Sequence, residues 1–178
     1  MSVKTYLCSH FFTIGCEAAF GDLINMDSVK ECDYLFVDFS FTNIAALSSY
    51  EWIVSLSRYK VILISDVRLL PLAAFFQERF TEIVAIFTCH DSIEHIGFFI
   101  KTYDNGQERK EVNIEPLSEA EFLCMSNILK GVSVSMEAKI KKLHVKTIYS
   151  RRRKVGEKLG VRKLSSLYTF FVDENPDF

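Results

Sequence analysis

The densest run of chemically useful side chains is cationic and lies in the last third of the sequence. Residues 151–154 read Arg-Arg-Arg-Lys, without an acidic residue among them. Ile148, Val155 and Leu159 are spaced by seven and four residues, which predicts one apolar stripe along a helix from Val145 to Leu159. Such a helix, with cations on its other faces, has the size and charge to enter the major groove of DNA. A solvated helix face without a partner is the alternative, but such faces usually mix charges of both signs.

Position along this helix predicts a role for each polar side chain. Lys146 and Thr147 fall in the first turn, where free backbone N–H groups and the helix dipole favour an anion. Tyr149, Ser150 and Arg153 share a face away from the apolar stripe, so we predict that they contact bases. The remaining predicted DNA contacts are to phosphates and come from Ser133, Arg152 and Lys154. Ser133 should also cap the helix that comes before the cationic one.

The charge of the chain is divided unequally between its two halves. Residues 1–115 contain 9 Lys and Arg and 16 Asp and Glu, a net charge of −7. Residues 116–178 contain 12 and 7, a net charge of +5, so the formal total is −2. A basic region joined to an acidic one indicates double-stranded DNA as a partner, because phosphate contacts supply most of the affinity.

Four short motifs lie in and around the cationic helix, and one of them begins at Gly131. They are Leu117-Ser118-x-x-Glu121, Gly131-x-Ser133, Lys146-Thr147-Ile148 and Lys158-Leu159-Gly160-Val161. Together they resemble the helix-turn-helix domain of LuxR/FixJ-type transcription regulators, and HVKTIYSRRRKVGEKL further resembles the enterobacterial fimbrial-operon regulators of that superfamily. The resemblance implies an all-α domain of four helices. These are a supporting helix, Ser118 to Lys130, a positioning helix, Ser133 to Lys142, the recognition helix, Val145 to Leu159, and a dimerisation helix, Lys163 to Phe171.

This resemblance has one departure, in the positioning helix. The family usually has apolar residues at two positions where this chain has Glu137 and Lys141. Met136 and Ile140 are the neighbouring apolar residues, so we expect them to take over the core contacts. That change would rotate or shorten the positioning helix.

Apolar runs and helical patterns alternate through the first 103 residues, which predicts a parallel sheet with helices on both faces. The predicted strands are Lys4 to Cys8, Tyr34 to Val37, Val61 to Ser65 and Ile83 to Phe87. The predicted helices are Phe11 to Ile24, Ile44 to Leu56, Val67 to Phe80 and Ser92 to Tyr103. A polar stretch then predicts a linker over 104–115, followed by the second domain, 116–172, and an acidic tail, 173–178. With 49% hydrophobic residues, each domain should form its own core.

The spacing of Asp33 and Asp38 resembles the third strand of the receiver domain of response regulators, with Asp38 at the phosphoacceptor position. Phosphorylation there needs Mg²⁺, which receivers bind with a carboxylate pair after the first strand. Here that place reads Leu7-Cys8-Ser9-His10, and Phe87-Thr88-Cys89-His90 stands where a lysine is expected. Only 30 positions separate Cys8 from Asp38, too few for another strand and helix. We therefore expect a shortened, degenerate receiver-like domain in which Asp38 is a vestigial phosphoacceptor.

Little in the sequence favours catalysis. The five cysteines form no C-x-x-C motif, and neither a Gly-rich phosphate loop nor an H-E-x-x-H motif occurs. We expect no enzymatic activity, no cofactor and no bound metal. Without an apolar run of about 18 residues or a secretory signal, a membrane association is not expected either. These features predict a bacterial cytoplasmic protein at the nucleoid.

The sequence therefore predicts a DNA-binding transcription regulator that works without phosphorylation. One recognition helix reads only a few base pairs, so a homodimer is expected, paired mainly through the first domain. The many phenylalanines, Phe75, Phe76 and Phe98 among them, exceed what a small core readily buries and predict an aromatic surface for a partner. The alternative is an auxiliary or antagonist protein that forms a heterodimer with another response regulator.

Overall fold

The computed structural model of the chain describes residues 3–26, 34–103 and 105–161. The first domain contains a four-stranded sheet of β1 (Lys4–Tyr6), β2 (Tyr34–Phe39), β3 (Lys60–Ser65) and β4 (Ile83–Thr88). The strands lie in chain order, and all three pairings are parallel. The predicted parallel sheet is confirmed, and no further strand is inserted between β1 and β2 in the described residues.

Helices cover both faces of this sheet because the side chains of its strands alternate. In β2, Leu35 and Val37 belong to one apolar cluster, whereas Phe36 belongs to the other. The second cluster lies under α1 (His10–Met26) and α5 (Ile93–Tyr103). The first lies under α2 (Ile44–Leu47), α3 (Glu51–Val54) and α4 (Leu70–Arg79). This arrangement confirms the predicted α/β layers.

One predicted helix of the first domain is wrong. Instead of a single helix over Ile44 to Leu56, the chain forms the two short helices α2 and α3. The Ser48 backbone N–H and the Ser48 hydroxyl both donate to the Ala45 carbonyl, at 3.2 and 2.6 Å. A serine that bonds back to its own helix in this way ends the regular hydrogen-bond pattern.

The segment that we predicted as a linker is attached to the first domain. The Lys110 backbone N–H donates to the Val84 carbonyl at 3.0 Å, next to the open edge of β4. The Arg109 guanidinium donates to the Gln77 carbonyl at 2.6 Å, and the Lys110 ammonium lies 2.8 Å from the Asp91 carboxylate. The chain therefore leaves the sheet in a fixed direction.

In the described residues three helices follow, α6 (Glu119–Leu129), α7 (Val134–Lys141) and α8 (Val145–Lys158). Helix α6 begins with a capping box, in which the Ser118 hydroxyl accepts from the Glu121 N–H and the Glu121 carboxylate accepts from the Ser118 N–H. Gly131 connects α6 to α7 with a φ of 74°, a conformation that glycine adopts without strain. The predicted dimerisation helix, Lys163 to Phe171, and the acidic tail, 173–178, lie outside the described residues.

The two domains share a core, which differs from the expectation of one core in each. Phe122 of α6 stacks on Phe75 of α4 with ring centroids 4.5 Å apart, and both belong to the cluster that also contains Val155 of α8. The Leu117 N–H donates to the Pro71 carbonyl at 2.9 Å. Most phenylalanines of the described residues are buried, and Phe75 and Phe122 lie between the domains.

None of the helices in the described part of the chain has both the length and the apolar composition of a membrane span. Four of the five cysteines are in that part, and each of them is a free thiol. Burial raises the pKa of Cys16 and of Cys124 to about 12, so both remain protonated at neutral pH.

Candidate nucleic-acid interface

Helix α8 is fixed to its domain by the predicted apolar stripe. Ile148, Val155 and Leu159 are completely buried, as their spacing indicates. Two of them, Val155 and Leu159, join the core that continues into the first domain. The stripe thus determines which face of α8 is directed away from the protein.

The opposite face of α8 is exposed while both domains are in place. Lys146, Ser150 and Arg153 follow each other at four and three residues, so they form one row along the helix. Tyr149, with 61% of its surface exposed, lies on one side of this row. The exposed residues of this outer face are Lys146, Thr147, Tyr149, Ser150, Arg153, Lys154 and Glu157. The Glu157 carboxylate lies 3.2 Å from Arg153 Nε in an exposed ion pair.

The turn before α8 and the starts of α7 and α8 are fixed by backbone conformation and by side-chain caps. Lys142 ends α7 in the left-handed conformation, with a φ of 52°, and His144 caps α8 by accepting from the Lys146 N–H at 3.2 Å. The predicted cap of α7 is present, since the Ser133 hydroxyl accepts from the Met136 N–H at 3.2 Å. The sequence analysis did not predict the His144 cap. The only signal for it was the position of His144 directly before a helical pattern.

Arg152 does not belong to the exposed face. Its guanidinium donates to the Glu137 carboxylate at 2.8 Å and to the Val132 carbonyl at 2.7 Å. This arrangement does not fit the predicted phosphate contact, because the donors of Arg152 are directed into the domain. The spacing was a usable signal, since Arg152 lies four residues after Ile148 and three before Val155, on the buried stripe.

The expected replacement of core residues in α7 is wrong. Met136 and Ile140 are 56% and 61% exposed, whereas Glu137 is 2% exposed. Glu137 occupies the core position because Arg152 compensates its charge. The helix is therefore not rotated to bury Met136, and its polar residue is buried as half of an ion pair.

A second ion pair holds the end of α8. The Lys158 ammonium lies 2.9 Å from the Glu121 carboxylate and 2.8 Å from that of Glu115, and it donates to the Pro116 carbonyl at 2.8 Å. Burial opposes ionisation of Glu121, but hydrogen bonds from Ser118 and Lys158 lower its pKa below the ordinary value. Burial opposes ionisation of Lys158, but hydrogen bonds to Glu115 and Glu121 raise its pKa. Helix α8 is thus tied to the start of α6.

Asp38, the predicted vestigial phosphoacceptor, lies at the carboxyl end of β2 and is half-buried. Burial and the nearby Asp66 charge raise its pKa, although a hydrogen bond with Ser40 acts in the opposite direction. The Asn43 amide donates to the Leu7 carbonyl at 2.6 Å and to the Asp38 carbonyl at 2.9 Å. A neutral amide therefore connects the ends of β1 and β2, next to a carboxylate whose ionised form is disfavoured.

The four-stranded sheet with helices on both faces is of the parallel α/β class. The EcpR N-terminal domain family matches residues 8–102, which is 95 of the 178 residues, and the chain belongs to this family. The match begins just after β1 and ends within α5.

Among solved structures, the chain is similar to RcsB. A structure of two RcsB dimers bound to two parallel DNAs is 16% identical, with a TM-score of 0.45, and the alignment covers 89% of this chain and 81% of that one. The RcsB response regulator of Salmonella typhimurium is 15% identical, with a TM-score of 0.35, over 93% of this chain and 95% of that one. A comparison with curated proteins finds no significant match.

Proposed function

We propose that the protein is a sequence-specific DNA-binding transcription regulator of the LuxR type, with α7 and α8 as a helix-turn-helix and α8 in the major groove. The observation that carries the proposal is the exposed cationic face of α8, which remains accessible while the two domains share a core. Arg153 and Ser150 lie where side chains of such a helix reach base edges. The other proposed contacts are Ser133, Lys146, Thr147, Tyr149 and Lys154.

The geometry supports binding without phosphorylation. The outer face of α8 needs no rearrangement of the first domain to become accessible, since Lys146, Arg153 and Lys154 are exposed as the chain stands. At the Asp38 edge, the amide of Asn43 and the thiol of Cys8 occupy the region where receivers carry acidic ligands. We place such a regulator in the bacterial cytoplasm, at the nucleoid.

Selection from a randomised pool of DNA duplexes tests this function. We expect the full chain to enrich one sequence, and its affinity to fall steeply with salt. Replacing Lys146 or Lys154 by alanine should each reduce the slope of log affinity against log salt by about 0.9. Replacing Arg153 by alanine should in addition relax the preference at one base pair by about 1–3 kcal/mol. A pool without enrichment, or slopes that ignore all three substitutions, would contradict direct DNA reading.

A protein partner on the first domain is the second part of the proposal. Phe11 of α1 is 85% exposed and Phe98 of α5 is 63% exposed, on the face of the sheet that is turned away from α4. Exposed aromatic rings of this size favour a protein interface, here that of a homodimer. Light scattering should show a dimer that Phe11→Glu converts to a monomer. A wild-type monomer that selects no DNA sequence would instead favour the alternative, an auxiliary protein that pairs with another response regulator.

A further inference from the structure

The ion pair of Glu137 and Arg152 joins the two helices of the proposed DNA reader inside the domain. The side chains are 2% and 17% exposed, respectively. Arg152 donates twice to one Glu137 oxygen, from Nη2 at 2.8 Å and from Nε at 3.3 Å. Its Nη2 also donates to the Val132 carbonyl at 2.7 Å, in the turn that precedes α7. One guanidinium therefore fixes α8 both to α7 and to the turn before it.

The backbone position of Arg152 excludes it from the outer face of α8. Ile148, Arg152, Val155 and Leu159 follow each other at four, three and four residues, which is one side of a helix. The row of Lys146, Ser150 and Arg153 lies on the other side. A side chain that starts on the inner stripe and ends on Glu137 points away from a DNA duplex on the outer face.

The surroundings of the pair also favour a structural role inside the domain. Cys124 of α6 lies beside Glu137 and Arg152, and its thiol is neutral at pH 7. If Arg152 turned outward to a phosphate, the Glu137 carboxylate would stay in the core without its cation. Removing one partner of a buried pair is strongly unfavourable, whereas replacing both by apolar residues of similar volume is often neutral.

We propose that Arg152 is a positioning residue that does not contact DNA. The Glu137–Arg152 pair sets how α8 lies on α7, and thereby where Lys146, Ser150 and Arg153 meet the groove. Two cations that lie two residues apart in the sequence thus have different functions, since Arg152 orients the helix and Lys154 neutralises phosphate. This inference rests on the proposed DNA-binding function.

The decisive experiment replaces the pair by apolar residues and measures the salt dependence of binding. The probe is the duplex that the wild-type full chain selects from the randomised pool. We expect the double variant, Glu137→Ile with Arg152→Leu, to keep the wild-type slope and sequence preference. The matched control, Lys154→Leu, should lower the slope by about 0.9. A double variant whose slope falls as far as that of the control would overturn the proposal.

The single variants supply a rescue test. Arg152→Leu alone should lose the preference for the selected duplex over a scrambled one, because Glu137 is left buried without its cation. Adding Glu137→Ile should restore that preference. A phosphate contact predicts the opposite, since removing Glu137 cannot replace a cation missing from the DNA surface. Failure of the second substitution to rescue a folded double variant would therefore count against positioning.

A conservative variant keeps the test valid if the double variant does not fold. Arg152→Lys retains a cation that would serve at a phosphate, but it cannot donate to Glu137 and Val132 with the planar fork of arginine. We expect it to lose preference for the selected duplex with an unchanged slope, and an undiminished preference would overturn the proposal. If the wild-type chain enriches no duplex from the pool, the proposed DNA binding fails, which is a different outcome from failure of positioning.

Discussion

Two partly buried carboxylates, one in each domain, have opposite electrostatic surroundings. Asp38, at the carboxyl end of β2, has a raised pKa because it is desolvated and lies near the Asp66 charge. Glu121, in the first turn of α6, has a lowered pKa because hydrogen bonds from Ser118 and Lys158 outweigh its burial. The groups around each carboxylate therefore determine the direction of its pKa shift, and its position in the fold does so only in part.

The two carboxylates also differ in role, since Glu121 is structural and Asp38 is vestigial. Glu121 caps α6 and binds the ammonium of Lys158, so a single carboxylate connects the start of α6 with the end of α8. At the Asp38 end of the sheet, the neighbouring loop is held by the Asn43 amide and by Asp66, which accepts from the Phe41 N–H at 2.9 Å. The second domain therefore depends on the Glu121 carboxylate for its geometry, whereas the loop of the first domain is held by the Asn43 amide and by Asp66.

The largest expected effect is the loss of the Glu121 carboxylate. Glu121→Ala removes the capping box and leaves Lys158 with an exposed carboxylate, Glu115, and the Pro116 carbonyl as partners. We therefore expect the free energy of unfolding to fall by about 3 kcal/mol. Denaturant unfolding of the full chain measures this. The control is Glu115→Ala, because Glu115 is bound to the same ammonium at 2.8 Å but has an 80% exposed side chain.

Glu115→Ala should change stability by less than about 1 kcal/mol, as exposed ion pairs do. Equal losses from the two substitutions would show that the ammonium alone matters and that burial of Glu121 does not. That result would remove the difference in surroundings on which the comparison of the two carboxylates depends.

The second effect concerns stability in acid. The pKa of Glu121 in the folded chain is below its ordinary value of 4.5, so its contribution is complete above that pH and is lost as pH falls through the folded pKa. We therefore expect wild-type stability to fall more steeply below pH 4.5 than that of Glu121→Gln. Thermal unfolding at a series of pH values measures the difference. Parallel curves would contradict the lowered pKa.

Much of the first domain could be predicted because its strands are apolar runs with clear ends. The start of β2 at Tyr34 and of β4 at Ile83 agree with the sequence prediction. The break between α2 and α3 could not be predicted, since a hydroxyl such as that of Ser48 bonds back to a carbonyl only in some contexts. The attachment of Lys110 to β4 is a contact distant in sequence, which local patterns do not report.

The outer face of α8 could be predicted from helical spacing, but the role of Arg152 was missed. In a run of three arginines, composition alone makes the side chains equivalent, and only the distance from Ile148 distinguishes Arg152. Its partner Glu137 is in another helix, and the burial of an acid is favourable only when the cation is already in place. A pair of this kind becomes recognisable when a polar residue in each of two packed helices falls on the inner stripe.

The smallest expected effect is at Asp38, and its sign is opposite to that at Glu121. A raised pKa means that ionised Asp38 is less favourable in the folded chain than in the unfolded one. The contribution of protonated Asp38 to stability is therefore complete below the ordinary pKa of 3.8 and is lost as pH rises through the folded pKa. Asp38→Asn should therefore stabilise the chain at neutral pH, with an advantage that shrinks on acidification.

Binding of the Asp38→Asn variant to the selected duplex should not change. Unfolding at neutral and acidic pH, together with incubation with a small phosphodonor, tests both points. A destabilised variant, or phosphate uptake by the wild type that the substitution abolishes, would show that Asp38 has supporting groups and that the two carboxylates are alike.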